Sequence, residues 1–353
     1  LRMSHDRRQR VFQTTTPLKI PERMLMEINT FFPFPLTDDQ IKCIEEIRND
    51  LISGIPMNRL IMGDVGTGKT LVAVAAAYMV IKNNLQVAVM APTQLLAEQH
   101  MAYFCALPPE MGFKPVVITS ALKRPEKEKI YDSVKDGAYN IVIGTHALIQ
   151  DKLSFKKLGL AVIDEQHRFG VNQRSMIIEK GENSHVLSMS ATPIPRTIAL
   201  TLYYDRDVSI IAQYPGARIP VSTILVERTK KRWIFDSMIK MLEEGGQVYI
   251  ICPLIDESEN MELKSVIEMA TNLKKIINPS HRVEYLHGQM EQALKDATLK
   301  EFREGKIAIL VATTVIEVGI HVPNASLMII EHPERLGLAQ LHQLRGRIGR
   351  GGK

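Results

Sequence analysis

The chain has 353 residues, 45% of them hydrophobic and 24% charged, and a formal net charge of +5. That length suits two domains of ordinary size, each with a core of its own, and the composition is that of a soluble globular protein. No apolar stretch reaches the length a bilayer requires and neither end carries a secretory h-region, which excludes a membrane-spanning protein and points to the cytoplasm. Cys43, Cys105 and Cys252 form neither an even set nor a metal-ligand spacing, so neither a disulfide nor a zinc site is expected. The basic balance permits a polyanionic partner without establishing one.

Residues 1–24 read as a basic arm, in which Arg2, Arg7, Arg8 and Arg10 either touch phosphate or simply stay solvated. Residues 25–212 alternate short apolar runs, at 60–62, 87–91, 116–119, 141–144, 160–164 and 186–190, with longer amphipathic stretches. Such alternation predicts an α/β domain with a mostly parallel, doubly wound sheet and crossover helices at 71–81, 94–103 and 125–135. Turn residues over 213–220 break the pattern and read as a linker. Over 221–353 the alternation restarts, predicting strands at 221–226, 248–252, 283–286, 308–312 and 327–331 and helices at 231–244, 262–277 and 292–304.

Between the first apolar run and the first crossover helix lies Gly63-Asp64-Val65-Gly66-Thr67-Gly68-Lys69-Thr70, in the strand, loop and helix context that a phosphate-binding loop requires. Glycines let backbone N–H groups converge on phosphate oxygens at a helix N-terminus, Lys69 places a cation on the terminal phosphates, and Thr70 offers a hydroxyl to Mg²⁺. The run at 160–164 ends in Asp164-Glu165-Gln166-His167, at the carboxyl edge of the sheet where α/β ligands bind. There Asp164 is expected to hold Mg²⁺ through its water shell and Glu165 to take a proton from an attacking water. His167 either senses the nucleotide or lies at the surface. Further on, Gln343-Leu344-Arg345-Gly346-Arg347-Ile348-Gly349-Arg350 suits either stabilisation of charge on a transferring phosphoryl group or nonspecific binding by a basic tail.

Together with Leu36 to Gln40, Ala91 to Gln94, Gly144 to His146, Ser190 to Thr192 and Ala312 to Thr314, these segments form an ordered series that resembles the motif set of superfamily 2 helicases, of DExH type. More narrowly, the stretches 164–174, 190–197 and 337–347 resemble the RecG family of bacterial ATP-dependent DNA helicases. The transcription-repair coupling factor Mfd is similar but usually differs within the first and last of them. The resemblance implies two tandem RecA-like domains, with ATP and Mg²⁺ as cofactors. It implies a translocase on double-stranded DNA that remodels branched DNA at stalled forks and recombination intermediates, with replication-fork proteins as partners.

Carried over by residue, the resemblance implies that Gln40 reads adenine and that Gly63, Asp64, Val65, Gly66, Thr67, Gly68, Lys69, Thr70 and Gly319 line the nucleotide. Ser190 and Thr192, with His167, would couple hydrolysis to motion, Gln343 would position the water, and Arg347 and Arg350 would be arginine fingers. Thr93, Gln94, Thr145, His146, Cys252, His287, Gly288, Thr313 and Thr314 fall where such proteins face nucleic acid. The chain departs from the pattern at His321, where the family has an acid, and at 119–121, which lack the glycine of a DNA-facing turn. RecG's upstream wedge domain and downstream helical hairpin do not fit in this chain, so a motor portion that hydrolyses ATP better than it unwinds DNA is expected. A nucleotide-regulated clamp that does no work, or an RNA helicase of the same superfamily, would use the same residues.

Overall fold

The computed structural model describes residues 14–119, 122–181, 183–191, 206–216, 221–252, 259–313 and 324–348. Between Pro215 and Gly216 the chain divides into two units. The arm expected over residues 1–24 is packed from Thr15 onward. Thr15 N donates to Gly54 O at 2.9 Å and Leu18 N to Leu51 O at 3.1 Å, while Leu18 and Ile20 are buried. The helix α1 (Glu22–Thr30) already begins within that span, turning Met24 and Ile28 inward. The arginine cluster at 2–10 lies outside the described residues.

After α2 (Asp38–Ile52), the first unit builds a seven-stranded sheet from β1 (Asn58–Gly63), β2 (Gln86–Met90), β3 (Pro115–Ile118), β4 (Ile141–Gly144), β5 (Leu158–Ile163), β6 (His185–Ser190) and β7 (Asp207–Ile211). Their order is β3-β4-β2-β5-β6-β1-β7, and every pairing in it is parallel. Strands β2, β4, β5 and β6 are buried at every position, as a parallel sheet covered on both faces demands. The helices α3 (Lys69–Ile81), α4 (Gln94–Cys105), α5 (Arg124–Asp136) and α6 (Val171–Ile178) lie among these strands in sequence. In α3, each residue from Leu71 to Ile81 is buried, which is why that segment is apolar all round.

Strand β7 pairs with β1 over five residues, and a buried polar network adds to that pairing. Arg59, only 8% exposed, donates to Asp50 Oδ2 at 2.6 Å, to Glu46 Oε2 at 3.0 Å and to Ser209 Oγ at 2.8 Å. One guanidinium thus joins β1, β7 and α2, its buried charge balanced by two carboxylates.

The second unit has four parallel strands, β8 (Gln247–Ile251), β9 (Val283–Leu286), β10 (Ile309–Ala312) and β11 (Ala325–Ile330), in the order β11-β8-β10-β9. Its helices are α7 (Lys231–Glu243), α8 (Glu259–Ile276), α9 (Gln292–Arg303) and α10 (Leu338–Arg345). The strand expected at 221–226 is not formed: among the described residues the segment has no strand partner, and neighbours Ile224 and Leu225 are 63% and 89% exposed. Two adjacent exposed side chains lack the alternation that a half-buried strand needs.

The two units share one local device. Gln86 opens β2 and Gln247 opens β8, each buried and each followed by Val. Gln86 Nε2 donates to Val134 O at 2.9 Å and Tyr139 O at 2.8 Å, and Gln247 Nε2 donates to Phe302 O and Ile307 O, both at 2.6 Å. In each case the amide ties down the loop between a helix and the strand next in the sheet, giving buried carbonyls the partner they require.

Buried His185, at the head of β6, accepts a hydrogen bond from Met57 N at 3.0 Å through Nδ1, and burial pushes its pKa from 6.5 down to about 4. The native state refuses a proton that the unfolded chain takes. The stability this group contributes is therefore complete above pH 6.5 and is lost as pH falls toward 4, by roughly 3 kcal/mol in all. Melting temperature is expected to drop across that window, and His185→Asn, which keeps an acceptor toward Met57, should flatten the drop.

Candidate nucleotide-binding and hydrolysis site

The parallel order β5-β6-β1 sets three chain segments side by side at one edge of the first unit's sheet. In register, Met62 pairs with Ser190 and Ile163 with Ser188. The glycine loop after β1, the carboxylates after β5 and the Ser190-Ala191 exit of β6 are therefore neighbours.

Within the loop, Gly66 and Gly68 have φ of +92° and +88°, a region that side chains enter at a cost. A Cβ on Gly68 would stand 2.2 Å from Gln40 Nε2, and one on Gly63 would stand 2.7 Å from Ile211 O. Lys69 Nζ donates to Gly63 O at 2.8 Å and to Asp64 O at 2.9 Å, so the ammonium is drawn to the mouth of the loop. The Asp64 carboxylate accepts from Val65 N at 2.6 Å and from the Tyr214 hydroxyl.

Gln40 is fully buried: its Oε1 accepts from Thr37 N at 3.0 Å and its Nε2 donates to Thr67 O at 2.8 Å. The carboxamide thus completes a capping box for α2 and braces the phosphate loop, and as placed it has no exposed surface to offer a base.

Glu165 has φ of +47°, a left-handed conformation rare for a side chain of its size. That kink sends the two acids apart. Asp164 Oδ2 meets His100 Nε2 at 2.9 Å while its Oδ1 accepts from Glu165 N at 2.9 Å, and Glu165 Oε2 accepts from Ala191 N at 3.3 Å. Burial pushes the Asp164 carboxyl up, but the His100 hydrogen bond and charge, Lys69 and the Glu165 amide outweigh it and hold the group below its ordinary value. An ionised carboxylate facing Lys69 suits Mg²⁺, which is bound by one or two carboxylates together with substrate phosphates rather than by a protein cage. Among the described residues no cluster of three or more His, Cys, Asp or Glu offers such a cage.

The other site residues are more dispersed. Thr93 Oγ1 caps α4 by accepting from Leu96 N at 3.3 Å, and Gln94 Nε2 donates to Glu98 Oε1 at 2.9 Å. Thr145 precedes a short 3-10 turn begun by His146, whose ring meets Phe169 edge-on at 5.9 Å and Gln173 Nε2 at 3.3 Å. His167 belongs to the turn Gln166–Arg168, its side chain lying outside the described residues.

In the second unit, Cys252 and Thr313 are buried, and their amides donate to Ala312 O and Leu286 O. As placed, neither presents a donor to a phosphate. His287 stacks on Tyr285 at 5.9 Å, and Gly288 O accepts from Lys295. Gln343 and Arg347 are 6% and 8% exposed, with the Arg347 charge acting on the buried Tyr249 hydroxyl. Thr192, Thr314, Gly319, His321 and Arg350 lie outside the described residues.

Residues 37–201 match the family described as DEAD/DEAH box helicase, and residues 230–352 match the helicase conserved C-terminal domain. The ATP-dependent DNA helicase RecG of Aquifex aeolicus is 47% identical over 339 residues, 95% of this chain and 42% of that protein. Its namesake from Thermotoga maritima is 46% identical over 347 residues, 98% of this chain and 44% of that protein. A structure of RecG bound to a three-way DNA junction aligns with a TM-score of 0.83 at 42% identity, over 100% of this chain and 46% of the other. The chain belongs to the RecG family of helicases. It spans less than half the length of these RecG relatives. Mss116p bound to ssRNA and AMP-PNP, at 20% identity and a TM-score of 0.67, shares the fold alone.

Three residues of this RecG-family site went unread in the sequence. His100 interrupts the buried stripe Leu96, Ala97 and Phe104 on α4, a signal that helical spacing carries. Tyr214 was absorbed into the linker. Arg206, which donates to Gln166 Oε1 and to Ser188 Oγ at 3.1 Å, has no local pattern to mark it. For the loop itself, Gly68→Ala is expected to weaken binding of a fluorescent ADP analogue by about tenfold or more, since the left-handed cost alone is ~1 to 2 kcal/mol and the Cβ also meets Gln40. Unchanged anisotropy titrations would overturn the role given to Gly68.

Proposed function

We propose that this chain is the ATP-hydrolysing motor of a DNA translocase acting on duplex and branched DNA. The observation that carries the proposal is the convergence at one sheet edge of Lys69, Asp164 and Glu165, with Glu165 hydrogen-bonded to Ala191. Phosphates would lie on the loop amides and Lys69. Thr70 and Asp164 would hold Mg²⁺, which when bound neutralises charge on the β- and γ-phosphates. Glu165 would accept the proton of the attacking water, and its bond to the Ser190 to Thr192 segment would report that event to the strand beside it. The identity of 46–47% to RecG proteins, one relative having been solved on a three-way junction, supports branched DNA as the substrate. In such a motor, Gln343, Arg347 and Arg350 would act from the second unit, and exposure of Gln343 and Arg347 would be a step of the cycle.

Phosphate release measured with no DNA, duplex, forked and single-stranded DNA tests this reading. Forked or duplex DNA should stimulate release, and absence of stimulation would favour a passive clamp. Lys69→Ala should abolish turnover. Glu165→Gln should lower turnover by about 10²- to 10⁴-fold while ATP still binds. DNA affinity should fall steeply between about 50 and 200 mM salt with little sequence preference, because contacts that repeat along the backbone are contacts to phosphate.

A further inference from the structure

His100 has no role in the scheme above, yet it is the one polar side chain on the buried face of α4. It lies with Leu96, Ala97 and Phe104, and its side chain is 7% exposed. An aliphatic side chain would fill that volume without the desolvation an imidazole costs. What the imidazole supplies is a hydrogen bond of 2.9 Å from Nε2 to Asp164 Oδ2. With Oδ1 already receiving the Glu165 amide, both carboxylate oxygens are fixed and the plane of the group is set. The same rigid helix starts at Thr93 and Gln94, seven residues and about 10 Å along the axis from His100.

We infer that His100 is a positioning residue: it holds the metal-binding carboxylate of Asp164 in orientation and carries to it any shift of α4 produced by DNA at the helix N-terminus. The inference rests on the proposed assignment of Asp164 to Mg²⁺ and of Thr93 and Gln94 to DNA. Groups that hold a metal's ligands are worth about 10- to 100-fold in metal affinity when removed. DNA that moves α4 by a fraction of an ångström would thereby retune the site without touching it.

The test uses binding rather than turnover. In the full chain, the Mg²⁺ concentration that half-maximally tightens a fluorescent ADP analogue is measured with and without forked duplex DNA. His100→Leu should raise that concentration about 10- to 100-fold and abolish the difference that DNA makes in the parent. His100→Gln, whose amide nitrogen stands in for Nε2, should stay close to the parent in both respects. A leucine variant with the parent's Mg²⁺ titration and DNA response, or a glutamine variant as defective as the leucine one, overturns the inference. A parent chain whose ADP affinity ignores Mg²⁺ sinks the metal assignment itself, and with it this role for His100.

Discussion

Everything at the site follows from the parallel pairing of β5, β6 and β1. Because adjacent strands run the same way, the loop with Lys69, the kink with Asp164 and Glu165, and the Ser190-Ala191 exit all emerge from one edge. An antiparallel neighbour would send one of them to the far side of the sheet. Each local feature then refines this placement. Left-handed glycines shape the loop, Gln40 braces it from α2, and the positive φ of Glu165 divides the two acids between His100 and Ala191.

Much of this was legible in the residues. Continuous apolar runs gave the strands of a buried parallel sheet, and a glycine loop between a strand and a helix carries its chemistry in its spacing. What was illegible has a common cause: polar contacts between residues far apart in sequence. Strand β7 is held by Arg59 and Ser209, 150 positions apart, and the arm residues near Leu18 are fixed by Leu51 and Gly54. The reverse error at 221–226 has the same origin. Its β-branched residues favour a strand locally, but no neighbouring strand takes them up.

Site roles divide along similar lines. The roles proposed for Gly68, Lys69 and Asp164 rest on backbone freedom and charge, which residue type alone carries. Exposure is not carried in residue type. Gln40, Cys252, Thr313, Gln343 and Arg347 are all buried, and burial is a property of the fold rather than of a motif.

If phosphates lie on the loop amides and Lys69 as proposed, they would displace the loop's own carbonyls as partners of Lys69. A crystal structure of the chain with Mg²⁺ and a non-hydrolysable ATP analogue tests it most directly. The account predicts Lys69 Nζ released from Gly63 O and Asp64 O onto phosphate oxygens, with Gln40 still bonded to Thr67 O and the metal beside Asp164 and Thr70. Triphosphate density elsewhere, or Lys69 unmoved beside a bound analogue, would contradict it.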